Sequence, residues 1–202
     1  ITKTAEGYTF EIDENQNATL IKTDILAETI EIPSEISSYK VKKLSCVEEA
    51  ALVGVSLTGV FEGNNVVKEI IIPEGVVETY GPAIANCYNL EKITIPGTMT
   101  TFDVVRCDNL KEVSIVDGDT ITESFSFSDC SGLEEIYLPK QINKISTNAF
   151  ARCYSLKNVK FSKNVYCIES VAFQGCTSLT NIDLPDKLSE IGSNAFQCCT
   201  SL

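Results

Sequence analysis

The string C-x-x-L recurs along the second half of the chain at a nearly constant interval. It begins at Cys87, Cys107, Cys130, Cys153, Cys176 and Cys199. Four of the five intervals between the following leucines are 23 residues, and the first is 20. A fixed period of this length indicates a solenoid, because one coil cannot bury its own apolar residues and must stack on its neighbours. The 202-residue length therefore counts coils and does not measure one globular unit.

Each repeat leucine is followed three and five residues later by an apolar residue, which gives the alternation of a short strand. We expect parallel strands, with the leucines buried, at 93–95, 113–115, 136–138, 159–161 and 182–184. An Ala-Phe pair precedes three of the cysteines, at 149–150, 172–173 and 195–196. We place these pairs on the opposite wall of each coil, where phenylalanine fills the interior.

The same register extends back beyond the first C-x-x-L string. Asn64 stands in the position of the cysteine, and Pro73 follows its strand as Pro96 and Pro139 follow theirs. Forty residues separate Pro33 from Pro73, one period plus 17, which predicts an insertion within about 39–60. Two β-type runs around the polar tip 13–17 predict a hairpin that caps the first coil. We therefore expect a capping β-hairpin and first strand in 1–32 and a leucine-rich-repeat-like solenoid in 33–202. We also expect the solenoid to be truncated at its C-terminal end.

These motifs resemble the BspA-like, or Treponema pallidum-type, leucine-rich repeats, whose units read L-x-x-I-x-I-P and then V-x-x-I-G-x-x-A-F-x-x-C. The resemblance covers 33–202, although the unit after Pro96 is three residues short and Val116 and Ser162 replace proline. It implies an α/β repeat: a right-handed leucine-rich-repeat solenoid with a parallel β-sheet on the concave face and irregular or short helical segments on the convex side. It also implies a secreted or cell-surface bacterial protein, since several members look like adhesins.

Six of the nine cysteines occupy one column of the repeat, here called the cysteine column. Stacked rungs lie about 4.8 Å apart, and parallel Cα–Cβ vectors keep the Cβ atoms beyond the disulfide maximum of about 4.5 Å. We therefore expect a buried thiol ladder in preference to disulfides. Cys46, Cys167 and Cys198 lie outside the column, and a disulfide among them stays open. Without histidine or C-x-x-C pairs, we expect no metal site and no cofactor.

Charge and composition disfavour several classes of function. A net charge of -12 opposes nucleic acid and anionic bilayers, and the lack of histidine excludes Ser-His and Cys-His catalysis. No apolar stretch reaches the roughly 18 residues of a membrane span. The spacing Asp13-x-Asn15-x-Asn17 matches the opening of a calcium loop, but a hairpin tip explains it better because the turn glycine is absent. We expect a monomer that is not an enzyme, binds no nucleic acid and does not insert into membranes.

The strand face supplies the candidate binding residues, because outward positions one period apart become neighbours. They form two columns: Ile71, Thr94, Ser114, Tyr137, Lys160 and Asp183 in one, and Glu69, Lys92, Glu112, Glu135, Asn158 and Asn181 in the other. A third column alternates in sign, as Lys68, Glu91, Lys111, Glu134 and Lys157, and is expected to favour the stacking register.

The expected function is recognition of a protein or glycan partner outside the cell, without catalysis. The predicted insertion at 39–60 is an equally plausible contact surface. Two other roles stay open: a structural spacer, or a targeting array within a larger surface protein or enzyme.

Overall fold

The computed structural model describes residues 1–51, 54–62 and 64–202, with backbone alone at 47–51 and 54–58. The described residues form a β-solenoid of about seven turns. Their strands, numbered in chain order, are β1 (Thr2–Ala5), β2 (Tyr8–Ile12), β3 (Asn17–Thr23), β4 (Thr29–Glu31), β5 (Glu35–Ile36), β6 (Tyr39–Ser45), β7 (Val47–Ala51), β8 (Gly54–Thr58), β9 (Glu69–Ile71), β10 (Glu78–Tyr80), β11 (Ile84–Ala85), β12 (Lys92–Ile95), β13 (Thr101–Val105), β14 (Glu112–Ile115), β15 (Ser124–Ser126), β16 (Glu135–Tyr137), β17 (Lys144–Ile145), β18 (Asn158–Lys160), β19 (Cys167–Ile168) and β20 (Glu190–Ile191).

The N-terminal segment is a three-stranded meander that joins the solenoid. β2 pairs antiparallel with β1 and with β3, and β3 then pairs parallel with β6. At the β2–β3 tip, one carboxylate oxygen of Asp13 accepts hydrogen bonds from the N–H groups of Asn15 (2.9 Å) and Asn17 (2.8 Å). These hydrogen bonds hold the pKa of Asp13 below its usual value. The Asp13 carboxylate therefore organises a turn, as the hairpin interpretation requires.

The strands that follow the repeat leucines form the first wall of the solenoid. β4, β9, β12 and β14 make one parallel sheet in the order β14-β12-β9-β4, and β16 pairs parallel with β18. Leu133, Leu156 and Leu179 are fully buried, so the assigned register is confirmed. The structure differs from the expected unbroken sheet in two respects. β14 does not pair with β16, and residues 182–184 form no strand.

The second wall contains the strands on the opposite side of each coil. β6, β10, β13 and β15 are parallel neighbours, and β17, β19 and β20 continue as a separate parallel sheet. Within the range expected to hold the insertion, β7 and β8 form an antiparallel hairpin. Residues 52 and 53 of that range lie outside the described residues.

The prediction of short helical segments on the convex side is wrong, because the part of the chain that the structure describes contains no helix. Turns closed by short backbone hydrogen bonds replace them, such as Ala149 N–H to Ser146 (3.0 Å) and Cys153 N–H to Phe150 (3.1 Å). The physical reason is local backbone conformation. Asn148 and Arg152 have φ values of 60° and 61°, so two left-handed residues only four positions apart interrupt any helical run.

Left-handed residues also recur in register along the coils. Asn148, Val171 and Asn194 each precede an Ala-Phe pair and have φ values of 60°, 54° and 56°. Asparagine tolerates this region because its short side chain can bond locally, whereas a β-branched residue is strained there.

We expect Val171→Asn to raise the free energy of unfolding by about 1 kcal/mol, since it relieves that strain. The reciprocal change Asn194→Val places valine at φ 56° and should lower stability by a similar amount. Urea denaturation followed by circular dichroism measures both. A destabilised Val171→Asn variant would contradict the assignment of strain to this position.

Phenylalanine rings fill the interior between the walls in a continuous stack. Ring centroids are 6.0 Å apart for Phe127 and Phe150, and 5.2 Å apart for Phe150–Phe173 and for Phe173–Phe196, with nearly parallel planes. Phe127, Phe150 and Phe173 are fully buried. Because each ring contacts the ring of the next coil, the stack joins neighbouring units that the sequence places 23 residues apart.

The cysteine column lies beside this stack and bonds the turning backbone. The thiols of Cys153, Cys176 and Cys199 each donate to a carbonyl 26 residues earlier, at 3.1 Å. Asn64 makes the equivalent bond with its side-chain amide, donating to the carbonyl of Ile25 at 2.8 Å. All six column cysteines are free thiols, and so are Cys167 and Cys198. The column is therefore a ladder of thiol-to-backbone hydrogen bonds.

Candidate functional site

The outward face of the first wall brings most of the candidate binding residues into two groups. In the larger sheet, Glu69, Lys92 and Glu112 lie in one register row and Ile71, Thr94 and Ser114 in another. In the smaller sheet, Glu135 lies beside Asn158 and Tyr137 beside Lys160. Asn181 and Asp183 are exposed but lie beyond the last first-wall strand. The two predicted columns therefore exist, but the break between β14 and β16 divides each of them.

Ion pairs between coils follow the predicted columns only away from this break. Lys92 Nζ lies 3.0 Å from a Glu69 carboxylate oxygen, Lys157 Nζ lies 2.6 Å from one of Glu134, and Lys68 pairs with Glu28 at 2.8 Å. The lysine beside Glu134 lowers the pKa of that carboxyl group. These side chains are largely exposed, so each pair stabilises the register only modestly.

Four charged residues beside the break form no ion pair within the described ranges, namely Lys111, Glu112, Glu135 and Lys160. Within the column of alternating sign, the only ion pair among the described residues joins Glu134 and Lys157. Glu91 forms none either, although its carbonyl accepts N–H groups from Lys111 and Glu112 of the next coil. Strand pairing alone is therefore not enough to bring opposite charges of this column together.

A groove of about 310 Å³ occupies the break between β14 and β16. Six residues of its lining come from the predicted columns: Lys92, Glu112, Ser114, Glu135, Tyr137 and Lys160. It also includes Lys111, Val113 and Ile136, which the candidate set does not contain. Val113 is only half-buried, whereas its counterparts Ile70 and Ile93 are fully buried.

Contacts between the two coils resume on both sides of the groove. On one side the Ser131 hydroxyl donates to Asp108 at 3.0 Å. On the other side the Gln141 side chain spans the coils, donating to the Val116 carbonyl at 2.7 Å and accepting from the Gly118 N–H at 3.3 Å. The strands therefore separate only over the few residues that line the groove. The sequence signals near this place are the 20-residue unit that precedes it and Val116, which replaces the proline after β14.

A second groove, of about 680 Å³, lies along the left-handed residues that precede the cysteine column. It contains the only two arginines of the chain, Arg106 and Arg152. Arg152 forms a bidentate pair with Asp129, at 2.5 and 2.7 Å, which lowers the pKa of that carboxyl group. The sequence interpretation did not include this groove. Its signal in the sequence is the polar residue immediately before four of the six column cysteines, at Asn86, Arg106, Asp129 and Arg152.

The described residues contain no group of three or more Cys, Asp or Glu side chains arranged to hold a metal ion. They contain no helix long and apolar enough to span a bilayer.

Solved structures with the same fold come from bacterial leucine-rich repeat proteins. A leucine rich cell surface protein from Faecalibacterium prausnitzii is 27% identical, with a TM-score of 0.76 over 100% of this chain and 53% of that one. The Treponema pallidum leucine rich repeat protein is 20% identical, with a TM-score of 0.80 over 99% and 90%. A leucine-rich repeat protein from Eubacterium ventriosum is 22% identical, with a TM-score of 0.75 over 98% and 49%. The chain thus spans about half the length of the first and third proteins.

No curated protein matches the sequence. The family model described as BspA type Leucine rich repeat region matches residues 27–104 and 105–202, in six copies. These ranges contain both walls, the phenylalanine stack and the cysteine column. The chain therefore belongs to the BspA type leucine rich repeat family.

Proposed function

We propose that this chain is a non-catalytic recognition module of a secreted or cell-surface protein, and that it binds an extracellular protein or glycan through the first wall. The observation that carries the proposal is the outward face of the first wall, where polar side chains and Tyr137 from neighbouring coils lie in register within each of its two sheets. Such a face offers many modest contacts over several coils, which is how repeat arrays bind extended partners. The relative from Faecalibacterium prausnitzii is described as a cell surface protein, which supports a secreted or cell-surface location for this chain.

We expect the double variant Tyr137→Ala/Lys160→Ala to weaken binding by about tenfold, equivalent to about 1.4 kcal/mol. The two side chains are neighbours on β16 and β18, and both are exposed. A panel of extracellular matrix proteins and glycans identifies a partner, and surface plasmon resonance measures its affinity for each variant.

The matched control for this experiment is Tyr154→Ala/Lys163→Ala, which removes the same residue types from exposed positions outside the first-wall strands. It should leave affinity unchanged. If the two double variants bind equally well, the contact lies elsewhere, and the β7–β8 hairpin becomes the next surface to test.

A spacer or targeting role within a larger protein is the second candidate. It is favoured by the length of the relatives, since this chain spans only about half of two of them. A spacer predicts that the purified segment captures no partner from the panel and that its first-wall variants behave like the parent protein.

A further inference from the structure

The groove between β14 and β16 combines two features of the first wall with a concave surface. Strand pairing is lost there, and charges of both signs stand without ion-pair partners. Resting on the recognition role proposed above, we infer that this groove binds a neutral carbohydrate, with one or two sugar residues of a glycan seated between the coils.

The backbone of the groove supplies the first argument. In three coils the carbonyl after the repeat leucine position, that of Lys68, Glu91 or Glu134, accepts two N–H groups from the next coil. The carbonyl of Lys111 receives neither equivalent bond from 134 or 135 in the described structure. Unpaired strand edges require hydrogen-bond partners from outside the sheet. Sugar hydroxyls both donate and accept, so they match a mixed edge of N–H and C=O groups.

The charges around the groove supply the second argument. Lys111 and Lys160 offer donors, and Glu112 and Glu135 offer acceptors, while Lys92 is already paired with Glu69. Two positive and two negative groups leave no net attraction for a charged ligand. A phosphate, sulfate or sialic acid would meet the two carboxylates, in a protein whose net charge is -12. A polyhydroxylated neutral ligand can use all four side chains at once.

The third argument is shape. Tyr137 stands at the groove with 55% of its surface exposed, although it lies between buried Ile136 and Leu138. An exposed tyrosine ring presents an apolar face with a polar tip, which suits the alternating C–H and O–H surface of a pyranose. The volume of about 310 Å³ is at the lower end of small-ligand sites, which favours one or two sugar residues over a folded protein epitope.

The test is a glycan array that contains neutral oligosaccharides ending in hexoses or N-acetylhexosamines, together with sialylated and sulfated ones. We expect binding to neutral glycans only. Isothermal titration calorimetry with the best neutral oligosaccharide should show at least a tenfold loss of affinity for Tyr137→Ala and for Glu135→Gln. The matched controls, Tyr154→Ala and Glu123→Gln, change the same residue types at exposed positions outside the groove and the candidate columns and should bind like the parent.

Three results would overturn the inference: no glycan bound, binding restricted to the charged glycans, or neutral binding that Tyr137→Ala and Glu135→Gln leave unchanged. Circular dichroism of the variants, whose changed side chains are exposed, separates loss of binding from loss of fold. If a protein partner is captured and depends on Tyr137 and Lys160 while no glycan binds, the recognition role survives and the carbohydrate site fails. If no partner of either class depends on the first wall, both fail.

Discussion

Replacing Phe150 by alanine is expected to lower the free energy of unfolding by about 3 to 5 kcal/mol. Phe150 is fully buried and lies in the middle of the stack, with ring centroids of Phe127 at 6.0 Å, Phe125 at 5.7 Å and Phe173 at 5.2 Å. Alanine would leave a cavity that the two walls cannot close, because each wall is held by its own inter-coil hydrogen bonds. Urea denaturation monitored by circular dichroism measures the change.

The matched control is Phe196→Ala. Phe196 stacks on Phe173 at 5.2 Å but is only half-buried, because it belongs to the last coil of the chain. Its loss should cost about half as much, since water already reaches part of the ring. Equal losses for the two variants would show that the stack does not stabilise the coils through its central rings.

The second large effect is a loss of stability at alkaline pH, because the buried thiols must stay protonated in the folded state. Burial raises the pKa of Cys176 to about 12 and holds that of Cys153 well above the usual range. In the unfolded chain these thiols ionise near pH 8.5. Their contribution to the free energy of unfolding is therefore complete below about pH 8.5, and it is lost as the pH rises towards the pKa of the folded state. At pH 10 the free energy of unfolding should fall by about 1 to 2 kcal/mol for each such thiol.

Urea denaturation at pH 7 and pH 10, under reducing conditions, measures this loss. Cys176→Ser retains a donor for the Phe150 carbonyl but does not ionise in this range, so its stability should fall less between the two pH values. Cys198→Ser, which changes an exposed thiol outside the column, is the matched control. An unchanged pH dependence in Cys176→Ser would contradict a buried, protonated thiol ladder.

Repeat spacing was enough to predict the stacking of coils and the residues that lie inside them. Leu133, Leu156 and Leu179 are buried as the spacing requires, and Asn64 bonds the backbone in the cysteine position. These predictions succeed because each depends on one coil and its period. The outward columns were also placed correctly from β9 to β18, because alternation along a strand fixes which side chains face outward.

The groove between β14 and β16 could not be predicted in the same way. The pattern that places Ser114 and Tyr137 in one column says nothing about how far apart their strands lie. Lys111 belongs to the column of alternating charge, but it forms no ion pair in the described structure and lines the groove. The short helices failed for a related reason, because left-handed residues such as Asn148 and Arg152 are not revealed by apolar spacing.

The sequence by itself determined the period, the buried leucines and the family, because a coil that cannot bury its own apolar residues must stack in one register. Only the tertiary structure decided where the first wall opens. Hydrogen bonds between neighbouring coils depend on the relative offset of two strands 23 residues apart, and inter-coil contacts resume at Ser131 and Gln141 on either side of the break. The candidate binding groove exists where the repeat pattern continues but the pairing does not.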